Sequence, residues 1–228
     1  MTITTTKLTR AAGVAAAVAG LLFIAVQINH PHLDLTFATT TEFKIRQGMK
    51  VLMSVLALAG ITGMYLRQVK KIGVLGLLGY VLFSFGYLVM MTIEVAGAVV
   101  LPSIADSAPG YVSDVLEVAT GGHAAGDIGL MQPLISAMGI GYLGGSLLFG
   151  IALFRANILA RWASALLAVA AVATAISPQL PINQRLFAIP TSVALIGLGY
   201  SLWRGQRTPA AASLPSTVSS QLDPAGAK

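Results

Sequence analysis

Six long apolar runs, each nearly free of charge, constrain this chain more than any other feature. They cover residues 11–28, 47–66, 72–101, 128–154, 162–180 and 186–203. A helix that crosses the hydrocarbon core of a bilayer needs about 20 mainly apolar residues. The runs therefore predict an all-α integral membrane protein, a bundle of six transmembrane helices within residues 11–203. The second run reaches back to residue 47 if Lys50 extends its ammonium towards the headgroups.

The composition excludes a soluble domain. The 228 residues are 56% hydrophobic and only 10% charged, and their mean hydropathy is +0.81. The 14 basic and 8 acidic residues are too few to cover the exterior of a soluble protein of this size. Because the chain has no cysteine, it has no disulfide, no thiolate metal site and no cysteine nucleophile.

Lysine and arginine are divided unevenly between the two sets of helix ends. One set carries nine of them, Lys7, Arg10, Arg67, Lys70, Lys71, Arg155, Arg161, Arg204 and Arg207, while the other carries Lys44, Arg46, Lys50 and Arg185. Short cytoplasmic loops hold most of the positive charge of a membrane protein. The distribution predicts that both termini are cytoplasmic. It also accounts for the net charge of +6 without a nucleic-acid partner.

Both ends of the chain are predicted to be cytoplasmic segments. Residues 1–10 place Lys7 and Arg10 before the first apolar run, as a signal peptide would, but no small-x-small cleavage site follows the run. We therefore expect an uncleaved first helix. Residues 204–228 are rich in Ala, Ser, Pro and Thr, which predicts a disordered tail.

Most of the polar chemistry falls in two predicted outer loops, residues 29–46 and 102–127. All three histidines and seven of the eight acidic residues lie in or near these loops. Within the second loop, residues 111–119 mix valine and leucine with polar residues in a pattern that predicts a short interfacial helix, ended by Gly121 and Gly122. Such a helix is either a lid or a plain structural connection.

Glu94 is the leading candidate for a functional residue. It is the one ionisable side chain inside the apolar run 72–101, and a carboxylate in hydrocarbon is costly enough to suggest a function. A carboxylate at the headgroup boundary and a structural hydrogen bond to another helix are the alternatives. The candidate ligand-binding residues around it are Gln27, His30, Gln132, His123 and Asp127.

A metal site is a weaker interpretation. His30 and His32 form an H-x-H pair beside Asp34, and His123 and Asp127 stand four residues apart, on one face if the fourth helix begins early. This spacing matches no motif that fixes a coordination geometry. Histidines at a membrane interface are commonly just hydrated or cap a helix end. We assign no metal and no cofactor from the sequence.

Glycines are spaced for helix packing. Residues 139–144 match G-x-G-x-x-G, but a dinucleotide site needs a preceding strand, and this stretch lies within an apolar run. Gly141 and Gly145 instead form G-x-x-x-G, and glycine recurs at positions 73, 76 and 79. Small residues let helices approach closely in lipid. These faces are predicted to hold the bundle together or to form a homodimer.

Several segments together resemble a family. They are Gly20–Phe23 with His30-Pro31, the Glu94 helix leading to Val100-Leu101-Pro102, residues 148–153, and Ala160–Ala163. Over about residues 10–204 the chain resembles uncharacterised six-pass membrane proteins of actinobacteria, a family filed as a domain of unknown function. The resemblance implies a bacterial plasma membrane and a six-helix layout, and it implies no catalytic residues.

The sequence favours one function and leaves others open. The leading hypothesis is binding or carriage of a small apolar or lipid-like molecule at an outward-facing polar site near Glu94. One alternative is a membrane-embedded enzyme that acts on a lipid or isoprenoid, with Glu94 as general acid and the outer His and Asp residues as partners. An accessory subunit of a membrane complex and a proton-coupled exporter are further alternatives.

Overall fold

The computed structural model describes residues 2–177 and 184–205. Over these ranges the chain is helical and contains no strand. The elements are α1 (Thr5–Gln27), α2 (Leu35–Ala38), α3 (Thr41–Gln68), α4 (Gly73–Ile104), α5 (Pro109–Ala119), α6 (Met131–Ala156), α7 (Arg161–Ile176), a 3-10 turn (Gln184–Phe187) and α8 (Ala188–Arg204). The all-α prediction is confirmed for the described residues.

Four of these helices are long and apolar enough to cross a membrane. They are α1, α3, α4 and α6, with 23, 28, 32 and 26 residues. At 1.5 Å per residue the shortest of the four is about 35 Å long, which exceeds the ~30 Å hydrocarbon core. Helix α7, with 16 residues, is apolar but shorter, and α8 has 17 residues. The protein is therefore an all-helical membrane protein.

Capping side chains, and not the ends of the apolar runs, set where α1 and α3 begin. Helix α1 begins at Thr5, earlier than the predicted residue 11, because the Thr4 hydroxyl accepts a hydrogen bond from the Lys7 N–H at 3.3 Å. Helix α3 begins at Thr41 instead of 47, since Thr40 caps it through the Phe43 N–H at 3.1 Å. Serine and threonine at such positions satisfy N–H groups that have no partner inside the helix.

The remaining boundaries differ from the expectation by a few residues. Helix α4 covers 73–104 against a predicted 72–101, and α8 covers 188–204 against 186–203. Helix α6 begins at Met131, later than the predicted 128, and α7 ends at Ile176. The end of the predicted span 162–180 and most of the predicted tail, from residue 206 onwards, lie outside the described residues.

The long helices pack in a ring that follows the order of the chain. Helix α1 packs on α3, α3 on α4, α4 on α6, α6 on α7, α7 on α8, and α8 returns to α1. The links 69–72 and 157–160 are short, so α3 and α4, and likewise α6 and α7, are antiparallel neighbours, as their tight connections predict. Closure of the ring by α1 and α8 brings the two ends of the helical region together.

Glycines allow the close approach of α4 and α6. Gly86 and Gly141 face each other: a Cβ built on Gly141 would lie 3.0 Å from the Gly86 backbone nitrogen. A Cβ on Gly79 would collide with the Phe149 backbone, and one on Gly145 with the Phe83 backbone. These positions hold the bundle together, as predicted for the glycine faces.

Two glycines of the predicted 73, 76 and 79 series have other roles. Gly73 has no atom within 4 Å of the place a Cβ would take, and it adopts a φ of +63° at the start of α4. A Cβ on Gly76 would meet the Ile72 side chain of its own segment. In this series only Gly79 is pressed against the backbone of a neighbouring helix, because the period of three drifts around the helix axis.

A second apolar cluster covers one end of the bundle, which we call the capped end. Helices α2 and α5 contribute Ala38, Val112, Val115, Leu116 and Val118, and these pack on Phe43 of α3 and Leu101 of α4. The predicted short helix over 111–119 is confirmed, with two more residues at its start. Gly121 then takes a φ of +91°, which ends the helix as expected.

The loop that follows α5 is held to it by one carboxylate. The Asp114 side chain accepts hydrogen bonds from the backbone N–H groups of Ala125, at 3.0 Å, and Gly126, at 2.8 Å. The Gly122 N–H also donates to the Glu117 carbonyl oxygen at 2.9 Å. The segment between α5 and α6 is therefore tied to α5 by the Asp114 carboxylate and by one backbone hydrogen bond.

Candidate functional site

Glu94 forms an ion pair across two helices near the capped end. Its Oε2 lies 3.3 Å from the Nζ of Lys50 on α3, and the two side chains are only 14% and 18% exposed. The Lys50 ammonium is directed at this carboxylate, and its extension towards the headgroups stays a prediction. A carboxylate from the neighbouring helix stabilises the ammonium without requiring it to reach the interface.

Gln47 completes the polar group. Its Oε1 accepts a hydrogen bond from the Lys50 Nζ at 2.9 Å, one turn along α3, and the residue is 8% exposed. Lys50, Glu94 and Gln47 are from here on the polar triad. An ammonium has three donors, so two of them are used inside the triad and one remains for a ligand.

Gly97 makes room for the triad. It lies one turn after Glu94 on α4, and a Cβ at this position would collide with the Gln47 Nε2. Gly97 and Gln47 were not predicted as site residues from the sequence, and Lys50 was considered only as a residue that could reach the headgroups. The signal was present, since Gln47 and Lys50 interrupt the start of one apolar run as Glu94 interrupts another, but only the packing of α3 on α4 pairs them.

The triad borders a small, partly open cavity of about 110 Å³. The other walls are apolar. Helix α5 contributes Val115 and Leu116, α6 contributes Ile135 and Met138, and Leu33 comes from the segment before α2. The triad forms one wall, apolar side chains form the others, and α5 covers the cavity. This arrangement suits the polar end of an amphiphilic molecule.

Gln27 and His30 lie at a different place. They line a second pocket of about 320 Å³ together with Ile24 at the end of α1 and Ile189 at the start of α8. The His30 Nδ1 lies 2.8 Å from the Pro31 carbonyl oxygen. These two predicted ligand-binding residues are not among those that line the Glu94 cavity.

Gln132, His123 and Asp127 are exposed and also lie apart from the triad cavity. Gln132 is on the first turn of α6, where its neighbour Met131 lines the cavity instead. His123 and Asp127 would share a helical face only if this helix began early, and that condition is not met because α6 begins at Met131. Asp127 turns back and accepts a hydrogen bond from the Gly129 N–H at 2.8 Å.

The metal candidates are not assembled into a centre. Among residues 2–177 and 184–205, no group of three or more histidine and acidic side chains is close enough to hold an ion. His32 is exposed on the segment before α2, and His123 is exposed on the segment before α6. The chemistry that the structure does bring together is the polar triad.

No known family model, curated protein or solved structure matches this chain. The class of protein is defined by its own geometry: an all-helical membrane protein with a polar triad under a helical cap. The resemblance to six-pass actinobacterial proteins stays a prediction.

Proposed function

We propose that the chain crosses a bacterial plasma membrane six times, with both ends in the cytoplasm and the capped end outside. Helices α7 and α8 belong to the same closed ring as the four long spans, which supports a membrane position for all six. Their 16 and 17 residues extend about 24–26 Å, and Trp162 and Trp203 lie next to arginines at their ends, as interfacial anchors do. The family resemblance supports the bacterial membrane.

We propose that the protein binds, and carries, a small lipid-like molecule with a neutral polar end. The observation that supports this is the polar triad at the wall of an apolar cavity. The opposite charges of Lys50 and Glu94 balance each other, so a charged ligand end would leave one charge uncompensated in a largely buried place. A hydroxyl group can accept from the free Lys50 donor and donate to a carboxylate oxygen, with no net charge.

The cavity is large enough for only part of a lipid-like ligand. Its 110 Å³ is well below the ~300–1,000 Å³ of pockets that enclose whole small molecules. The cavity therefore receives the polar end of the ligand. The apolar remainder of the ligand lies along the helices or displaces α5.

Binding of farnesol, a long isoprenoid alcohol, tests this function directly. The assay is equilibrium binding of radiolabelled farnesol to the full chain in nanodiscs. Its hydrocarbon analogue farnesene is the matched probe without the hydroxyl. The test variant is Lys50→Met/Glu94→Gln, which removes both charges together and leaves no unpaired ion. Glu42→Gln is the control, because Glu42 pairs with Arg46 and is 55% exposed.

Hydrogen bonds to charged groups contribute about 1.5–3 kcal/mol, so the double variant should bind farnesol roughly 10- to 100-fold more weakly. Glu42→Gln should bind it as the unaltered chain does. Equal binding of farnesol and farnesene, or unchanged binding by the double variant, would show that the triad does not recognise the polar end.

The enzyme alternative has less support in the geometry. It needs acid–base partners beside Glu94, and the predicted partners His30, His123 and Asp127 do not line the triad cavity. The accessory-subunit, homodimer and exporter hypotheses stay predictions. A homodimer would have to use surfaces other than Gly79, Gly86, Gly141 and Gly145, because these are occupied within the bundle.

A further inference from the structure

At the end of the bundle opposite the cap, every charged side chain of the described residues is basic. The links 69–72 and 157–160 lie at this end, which we call the basic end, together with the start of α1 and the end of α8. Its eight cationic residues are all exposed: Lys7, Arg10, Arg67, Lys70, Lys71, Arg155, Arg161 and Arg204. The seven acidic residues of the described ranges lie within residues 34–42 and 94–127. No described carboxylate therefore balances the positive charge of the basic end.

A cavity of about 380 Å³ lies at the basic end, between the start of α4 and the end of α6. Lys71, from the link before α4, and Arg155, from the last turn of α6, both line it. Neither side chain has a hydrogen bond, an ion pair or an aromatic contact to another described residue. Two cations without partners that line one cavity favour an anionic ligand, since both can donate to the same oxygen-bearing group.

The first turn of α4 adds backbone donors to the two cations. Gly73, Val74 and Leu75 line the same cavity, and no side chain caps the start of this helix. The first N–H groups of a helix have no partner inside it, and the helix dipole favours negative charge beside them. Gly73 leaves the approach open, because no atom lies within 4 Å of the place that a Cβ would take. The backbone thus supports the same charge preference as Lys71 and Arg155.

Exposed apolar side chains beside the cavity favour a lipid over a soluble anion. Val74 borders the cavity and is 73% exposed. Leu77 and Leu78, three and four residues further along α4, are also exposed and share its face of the helix. Because α4 is long and apolar enough to cross a membrane, this face lies against acyl chains. An anionic headgroup in the cavity and acyl chains along α4 would therefore belong to one molecule.

We propose that Lys71 and Arg155, with the first turn of α4, bind the phosphate of an anionic phospholipid whose acyl chains lie along α4. The phosphodiester group accepts hydrogen bonds from both side chains and from the backbone N–H groups. A zwitterionic lipid carries the same phosphate, but its ammonium group is repelled by the other cations of the basic end. The site lies at the opposite end of the bundle from the polar triad, and it does not depend on the function proposed for the triad.

Retention of lipid, measured by native mass spectrometry, tests this proposal. The full chain is placed in nanodiscs of phosphatidylcholine with an increasing fraction of phosphatidylglycerol, and the phosphatidylglycerol that stays bound after release is counted. The test variant is Lys71→Gln/Arg155→Gln. The control is Lys7→Gln/Arg10→Gln, which removes the same charge from the same end but does not touch this cavity. A third variant, Lys71→Arg/Arg155→Lys, exchanges the two cations and keeps their charge.

Each cation near a membrane surface strengthens the binding of anionic lipid by a factor of about five, so the test variant should bind phosphatidylglycerol roughly 10- to 30-fold more weakly. The control and the exchanged variant should bind it nearly as the unaltered chain does. Equal losses in the test and control variants would overturn the proposal, because the whole basic end and not the cavity would then attract the lipid. Equal retention of both lipids by the unaltered chain would overturn it as well.

Inorganic phosphate separates a lipid site from a site for a soluble anion. Phosphate has no acyl chains, so we expect it to displace phosphatidylglycerol only in large excess. Displacement at equal concentration would show that the cavity recognises the phosphate alone, and the lipid would be the wrong occupant. The substituted side chains are exposed, so the Tm should not change. If the double variant fails to fold, Arg155→Gln alone replaces it, with an expected loss of about fivefold.

Discussion

Removing one member of the Lys50–Glu94 pair should destabilise the protein much more than removing both. The Lys50→Met variant leaves a carboxylate that is 14% exposed without its ammonium, and Glu94→Gln leaves the ammonium without its carboxylate. Breaking a buried pair in this way costs about 3–5 kcal/mol. Because both side chains keep some exposure to solvent, we expect the lower end, about 3 kcal/mol, for each single variant.

The double variant Lys50→Met/Glu94→Gln removes both charges. Its free energy of unfolding should lie within about 1 kcal/mol of that of the unaltered chain, because replacing a buried ion pair by uncharged residues commonly changes stability little. The expected coupling is therefore several kcal/mol, far beyond the additivity of independent sites. A control cycle uses Arg46 and Glu42, an i,i+4 pair with Glu42 55% exposed. Such exposed pairs contribute about 0.3–0.5 kcal/mol.

The assay is reversible unfolding in mixed micelles, with a thermal scan as a second measure. A loss of 3 kcal/mol corresponds to a Tm shift of roughly 6–12 °C for a chain of this size. Additive losses in the triad cycle, or single variants as mild as Glu42→Gln, would refute the reasoning. Either result would mean that water or lipid headgroups already solvate these charges.

Three further predictions concern packing, the cap and the topology. Gly145→Ala should lower the unfolding free energy by about 1–3 kcal/mol, because its Cβ would collide with the Phe83 backbone. The control is Gly139→Ala on the same helix, whose Cβ meets no atom within 4 Å. It should raise the unfolding free energy by up to about 1 kcal/mol in the same assay. Asp114→Ala should speed hydrogen exchange and proteolysis in residues 120–130, which lose two backbone anchors, with no change in α1. In the cysteine-free chain, Ser113→Cys should react with an impermeant maleimide in intact cells and Lys70→Cys only after permeabilisation; the reverse pattern would invert the proposed topology.

Much of the helical architecture could be predicted from the sequence. All six apolar runs overlap observed helices, although α7 and α8 are shorter than the length that identifies a span by itself. The amphipathic pattern of residues 111–119 also identified α5. Helix ends were less predictable. Thr4 and Thr40 extend α1 and α3 beyond the apolar runs, because a capping hydrogen bond stabilises a helix end whether or not it lies in hydrocarbon.

The candidate site was predicted only in part. Glu94 stands out in the sequence because a carboxylate is rare in an apolar run. Its neighbours did not stand out. His30, His123 and Gln132 were predicted to bind ligand beside Glu94 because they lie in or near the outer loops. None of them lines the triad cavity. Lys50 and Gln47 are 44 and 47 positions away from Glu94, and the rotation of α3 about its axis decides that they face it.

The sequence by itself determined that this chain is helical and belongs in a membrane. The physical reason is local: each segment of about 20 apolar residues meets the requirements of the hydrocarbon core without help from the others. Tertiary structure decided which helices touch and which polar groups are paired. These depend on how glycines such as Gly86 and Gly141 set the rotation and separation of whole helices, which no single segment encodes.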